Sequence, residues 1–226
     1  MPLVVNEVVP PAAEPVTLEE AKLHLRMADI DADDALISAL IAAARRYCQV
    51  VARAVFVDTV FEAVDDAFPF TGGTLNRQVR EFYGQFAGGR GAVYPGVLAL
   101  NAGVVTLPRA PVRSVESVTY LDLNGVPRTM APSEYVVTTG SPGRIGVPFG
   151  GTWPVTLPQI GAVTVRFTAG YGPDASTVPP NVKAAVLLMV GHLYENREAV
   201  TAGTLTALPL GIDHLLGVEA AAGGYA

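Results

Sequence analysis

Residues 163–200 read VTVRFTAGYGPDASTVPPNVKAAVLLMVGHLYENREAV. Val163–Thr168 alternates apolar and polar side chains, the period of a strand with one buried face. Gly170-Tyr171-Gly172-Pro173 breaks the strand, and Pro179-Pro180 open a helix whose first turn tolerates proline. Val182, Ala185, Val186, Met189 and Leu193 form one helical stripe. Leu187, Leu188, Val190 and Tyr194 widen it well beyond one face. The helix is too oily for a lone surface helix. Its unbroken apolar run, Ala184–Val190, falls far short of the about 20 residues of a membrane span. Its own domain or neighbouring copies must therefore cover it. Leu187, Leu188, Val190 and Tyr194 are the candidate contacts between copies.

The 226-residue chain suits one domain, or one domain with an elaborate insertion. Half of its residues are apolar and only 16% are charged, against about a quarter in an ordinary soluble domain. Either neighbouring protein covers part of its surface, or the low charge reflects an Ala-, Val- and Gly-rich composition. The net charge of −6 argues against gripping a phosphate backbone. It leaves open a protein that merely lets nucleic acid pass. Cys48 is the one cysteine, so there is no internal disulfide. The N-terminus lacks a basic region followed by an apolar run, so no secretory signal is expected. These features together predict synthesis and retention in the cytoplasm until the chain joins something.

Residues 1–16 hold four prolines and are expected to form an extended arm. Thr17-Leu18-Glu19-Glu20 is a capping box that starts a helix over about 18–26. Asp31 or Asp33 caps the next helix, 34–52. Leu36, Ile37, Leu40, Ile41, Ala44, Cys48 and Val51 form its apolar stripe, with Arg45, Arg46 and Gln49 mostly off it. From Ala54 the period changes to that of a strand. Further short strands are expected near 104–107, 115–121, 135–138, 144–147 and 163–168, with Asn124-Gly125 as a hairpin turn. The last long helix is expected over 180–199, and 201–226 forms a tail.

Between 69 and 103 the pattern dissolves into glycines interleaved with aromatics. A structureless loop longer than about 15 residues is unusual inside a compact domain, and the alternative is a disordered excursion. Phe82, Tyr83 and Phe86 make this insertion a candidate docking loop against a neighbouring copy. The fold class that follows is α+β. An N-terminal helix pair and a long C-terminal helix pack as a bundle, beside an antiparallel sheet or small sandwich drawn from 54–168.

No chemistry-bearing motif survives scrutiny. With Asp29 as first ligand of a calcium loop, the sixth place is Asp34 instead of Gly and the twelfth is Leu40 instead of Glu. His24, His192 and His214 lack partners at metal-ligand spacing. Gly88-Gly89-Arg90-Gly91 is not followed by the Gly-Lys-Ser/Thr of a phosphate loop. Glu62, Asp65 and Asp66 could be imagined as a hydrolytic acid pair, but acids at a strand end are usually solvated. Neither an enzyme nor a cofactor is expected.

Three segments carry a family resemblance. Pro15-Val16-Thr17-Leu18-Glu19-Glu20-Ala21-Lys22-Leu23-His24-Leu25-Arg26 is followed by Asp33-Asp34-Ala35-Leu36-Ile37. Leu107-Pro108-Arg109-Ala110-Pro111-Val112-Arg113-Ser114-Val115 leads into Val118-Thr119-Tyr120. Then come Phe167-Thr168-Ala169-Gly170-Tyr171-Gly172, Val178-Pro179, Lys183-Ala184-Ala185 and His192-Leu193-Tyr194-Glu195-Asn196-Arg197-Glu198. In this order the chain resembles the head–tail connector, or adaptor, proteins of long-tailed bacteriophages and prophages. The Gly-rich stretch around 70–102 departs from the compact form expected of that family.

The resemblance implies a virion neck protein, assembled from the host cytoplasm into a ring of twelve copies beneath the portal protein. The ring would extend the DNA channel without sequence-specific contacts and carry a stopper or tail terminator protein, with no membrane involved. The tail cluster Leu208, Leu210, Ile212, Leu215 and Leu216 is the candidate for docking on the portal, or else a strap on the chain's own core. Replacing Leu215 and Leu216 with Asp is then expected to abolish portal attachment and spare the fold. A tail-associated module recognising a host surface is the competing reading. Deleting Gly72–Gly96 is expected to weaken assembly, scored by sedimentation. Unchanged assembly would remove the docking role of the insertion.

Overall fold

The computed structural model describes residues 4–69, 103–196, 211–212 and 214–217. The fold is α+β, with two adjoining apolar cores. The first strand, β1 (Val4–Val9), is followed by α1 (Leu18–His24), α2 (Asp34–Ala52) and β2 (Thr59–Asp65). Six strands come next: β3 (Val104–Thr106), β4 (Val112–Leu121), β5 (Pro127–Thr129), β6 (Val136–Thr138), β7 (Arg144–Gly146) and β8 (Val163–Ala169). The long helix α3 is Pro180–Glu195. Residues 211–212 and 214–217 are also helical.

A five-stranded sheet in the order β1-β2-β8-β4-β5 and a three-stranded sheet in the order β3-β7-β6 make up the β region. Every pairing is antiparallel. The centre of the large sheet is β8, where Val163, Val165, Phe167 and Ala169 are buried and the residues between them are not. Phe167 sits opposite Phe61 of β2, with ring centroids 5.8 Å apart, a cross-strand aromatic pair. Ile145 of the small sheet joins them in one core with Leu107, Val118, Met130 and Trp153.

The N-terminal segment is extended, and it does more than trail: β1 pairs with β2 along its length, with a register shift between Glu7 and Val9. Arg45 was expected off the apolar stripe of α2 but is buried, because Glu14 reaches over and accepts from its Nε at 2.8 Å. The capping box forms as read. The Glu20 amide donates to Thr17 Oγ1 at 3.1 Å and the Thr17 amide donates to Glu20 Oε2 at 2.8 Å. The helix it starts ends at His24, with Arg26 at φ +59° beyond it.

Residues 54–58 are not a strand. Val55, Phe56 and Val57 are all buried, so no face alternates. Val55 belongs to the sheet core, Phe56 and Val57 to the helical core. Their backbone bonds go elsewhere: Val55 N–H to Ala110 O at 2.7 Å and Asp58 N–H to Gly172 O at 2.8 Å. Gly170 lies against this crossing at φ +149°, where a Cβ would stand 2.6 Å from the Asp58 nitrogen.

By length and mean hydropathy, 1.3 over its best window, α2 alone would pass for a membrane-crossing helix. In the fold its Ile37, Ile41, Ala44 and Cys48 instead close against α3. The C-terminal segment completes that core, with Ile212 and Leu216 wholly buried and Leu215 half-buried. The Asn181 side-chain amide donates to Leu215 O at 3.1 Å and fastens the segment to the first turn of α3. Two of the expected portal-docking leucine-type residues are therefore core, because α3 is apolar on more sides than α2 covers. Leu208 and Leu210 lie outside the described residues. Ile212→Ala and Leu216→Ala should each lower stability by about 2 to 5 kcal/mol in denaturant titrations, the cost of a buried cavity. Replacing Leu215 and Leu216 with Asp should unfold the helical layer, which corrects the expectation that the fold survives that change.

Candidate assembly surfaces

The apolar residues of α3 divide by direction. Val182, Ala185, Val186, Met189 and Val190 are buried within the chain's own core. Val190 therefore has no surface left for a neighbouring copy. Leu187 is half-buried against the same core. The Tyr194 hydroxyl donates to Asp33 Oδ2 across the bundle, so it too is engaged internally. Of the α3 candidates, Leu188 alone is exposed, at 38%. Phe82, Tyr83 and Phe86 lie outside the described residues.

The aspartates of the α1–α2 connector are structural. Lys22 is buried, and its ammonium donates to Asp31 Oδ1 at 2.5 Å and pairs with Asp34 Oδ1 at 2.9 Å. Those two carboxylates hold the Lys22 ammonium above the ordinary lysine range, Asp31 contributing most. Asp33 occupies the N-cap position of α2 without a side-chain capping bond, and receives Tyr194 instead. At the far end of β2, Asp65 Oδ1 accepts from the Asp66 amide at 2.7 Å, and Asp66 Oδ1 accepts from the Gly161 amide at 3.0 Å. Glu62 pairs with Arg166, whose Nε also donates to Glu116 Oε2 at 2.9 Å. The carboxylates that could have formed a hydrolytic pair are thus committed to holding loops and strands together. The His24 ring packs against Gly191 of α3, where an added Cβ would stand 3.4 Å from its Nε2, and no group of three metal-ligating side chains occurs among the described residues.

Two open hollows mark the surface. One of about 310 Å³ is bordered by Tyr120, Met130, Ser133 and Glu134, and the Glu134 carboxylate there is tied to the Ala131 amide at 2.6 Å. The other, of about 550 Å³, lies over Leu18, Leu23 and Ala28 beside the Lys22 ion pairs.

Exposed apolar side chains also occur where the sequence reading did not place them. Phe149, Val155 and Ile160 belong to the 147–162 connection, and Ile160 is 89% exposed. That connection has no regular secondary structure but is pinned. The buried Trp153 indole donates to Gly103 O at 2.8 Å and stacks on Phe68 with centroids 4.5 Å apart. The Leu157 amide donates to Leu121 O at 3.0 Å. The signal present in sequence was the alternation of Val147, Phe149, Trp153, Val155 and Leu157, broken by Gly and Pro.

By sequence, no protein-family model and no curated protein matches the chain. Solved structures do resemble it. A chain in the neck of an empty gene transfer agent (GTA) particle, computed with C6 symmetry, superposes with TM-score 0.69 and 24% identity, over 96% of this chain and 94% of that one. A chain in the virion of a native GTA particle gives TM-score 0.68 at 23% identity, over 95% and 94%. A chain in the neck of a native GTA particle, computed with C12 symmetry, gives 0.62 at 22%, over 96% and 94%. The fold of this chain is therefore that of chains in the GTA particle and its neck, along nearly its whole length. This agrees with the resemblance to head–tail connectors carried by the capping box, the Leu-Pro-Arg segment and the last helix.

Cys48 faces the α2–α3 core, and burial pushes its thiol up to about 12. The native protein should react very slowly with a thiol reagent at about pH 8, because the thiolate is the reactive form. Unfolded protein should react at once. Prompt reaction of the native state would mean that the helical layer opens readily.

Proposed function

We propose that this chain is a structural head–tail adaptor of a phage-like particle. Copies form a ring, twelve in number, under the portal protein. The ring extends the DNA channel and carries the stopper or tail terminator component on its far side. The observation that carries this reading is the near-complete structural correspondence with a chain in a neck computed with C12 symmetry. Its mature location is the virion neck, reached from the host cytoplasm during assembly.

The physical features support the reading. A closed ring arises when one head-to-tail contact repeats around an axis. A net charge of −6 lets DNA pass without trapping it by phosphate contacts. The role of the carboxylates described above is to hold shape. Leu208 and Leu210 are proposed to reach the portal, with Ile212 and Leu216 rooting that tail in the helical layer. Leu188 and the 69–103 insertion, with Phe82, Tyr83 and Phe86, are proposed to contact neighbouring copies.

Electron microscopy of the purified protein with and without its portal tests this. The expected images show a twelve-membered ring seated on the portal. Finding the chain in particles only away from the capsid–tail junction, or only as isolated copies, would overturn it.

A further inference from the structure

The two flanks of the 69–103 insertion meet at a single side chain. Phe68 stands just before the insertion, and Gly103 is its last residue. The indole of Trp153, the chain's one tryptophan, touches both. Its face stacks on the Phe68 ring, with centroids 4.5 Å apart and planes inclined by 6°. Its edge donates from Nε1 to Gly103 O at 2.8 Å. The indole is buried, so this hydrogen bond is shielded from water. The chain therefore enters and leaves 70–102 within the span of one indole.

Each flank is also secured by residues outside 70–102. Asp65, the last residue of β2, pairs with Val163 of β8. Just beyond it, Asp66 Oδ1 accepts from the Gly161 amide at 3.0 Å. The Phe68 ring meets Tyr120 of β4 edge-on, with centroids 5.9 Å apart. On the other flank, Val104 opens β3 and pairs with Gly146 of β7. Gly103 turns the chain into β3 at φ +72°, a conformation that favours glycine. Because β2 lies in the large sheet and β3 in the small one, Trp153 also ties the two sheets together.

Bringing the ends of a long segment together costs chain entropy that rises only slowly with its length. Once the ends are fixed from outside, the length between them matters little. We propose that Trp153 is a clasp that fixes both flanks of the insertion, so that 70–102 is an exchangeable module and the two sheets keep their fold without it. Trp153 is a positioning residue: it acts on the insertion through Phe68 and Gly103. The clasp belongs to the single subunit and does not depend on the reading of the chain as a neck component.

The test has two arms. In the first, 70–102 is replaced by Gly-Ser linkers of about six and about twelve residues, which reach about 20 and 40 Å when extended. At least one shortened chain should melt cooperatively within about 5 °C of the full-length chain. It should also keep the blue-shifted emission of a buried Trp153. In the second arm, Trp153→Phe in the full-length chain keeps a stacking ring and loses the N–H donor. Exchange of the β3 amides that bond to β7 should quicken at least about tenfold, while β8 amides stay within about twofold of wild type. A residue that merely fills the core would raise exchange in both strands alike, and that result overturns the proposal. Unchanged exchange in β3 overturns it too. So does failure of both shortened chains to fold, or folding with the indole exposed to water.

Discussion

The fold depends on one crossing, where the chain passes twice between its helical and β cores within a few residues. Phe56 and Val57 face the helices, Val55 faces the sheet, and Asp58 N–H bonds to Gly172 O. The return path, from β8 to α3, runs against the same backbone, with Tyr171 N–H on Phe56 O at 3.3 Å. Two strands of main chain can approach this closely only if one lacks a side chain. Gly170 meets that condition, and a methyl group there would collide with backbone. The tight crossing lets α2 and α3 lie side by side while β2 and β8 pair in register from Thr59↔Ala169 to Asp65↔Val163.

Around that crossing, the apolar breadth of α3 finds its explanation inside the protomer. α2 covers one side and Ile212, Leu215 and Leu216 cover another, so a helix that looks under-dressed in isolation is clothed by its own chain. Polar pairs then set the angles of the bundle. Lys183 reaches Glu20 of α1 at 3.1 Å, Tyr194 reaches Asp33, and Lys22 gathers Asp31 and Asp34. These pairs join different elements and their connectors and narrow the ways they can pack.

Most of the apolar surface of α3 is thus buried inside the protomer, and of its candidate contacts Leu188 stays exposed. The helical layer, closed by Ile212 and Leu216, holds the subunit's shape.

The sequence by itself determined the elements governed by local chemistry. The Thr17 capping box, the period of Leu36–Val51, the alternation of Val163–Ala169, the Asn124-Gly125 turn and the proline start of α3 all depend on neighbours within a few residues. The identity of Cys48 as a core residue was legible for the same reason. Tertiary structure decided the rest. Val190, Ile212 and Leu216 carry the same side-chain chemistry whether they meet their own core or another chain, and only the packing of α2 and the tail against α3 turns them inward. Arg45 is buried because a distant Glu14 neutralises it. Asp66 looks like an available acid until the Gly161 amide arrives from just before the neighbouring strand, while Asp65 is taken up by the Asp66 amide. The 147–162 connection carries a strand-like alternation from Val147 to Leu157 yet stays irregular, because Trp153 and Gly161 are anchored to Gly103 and Asp66 across long sequence distances.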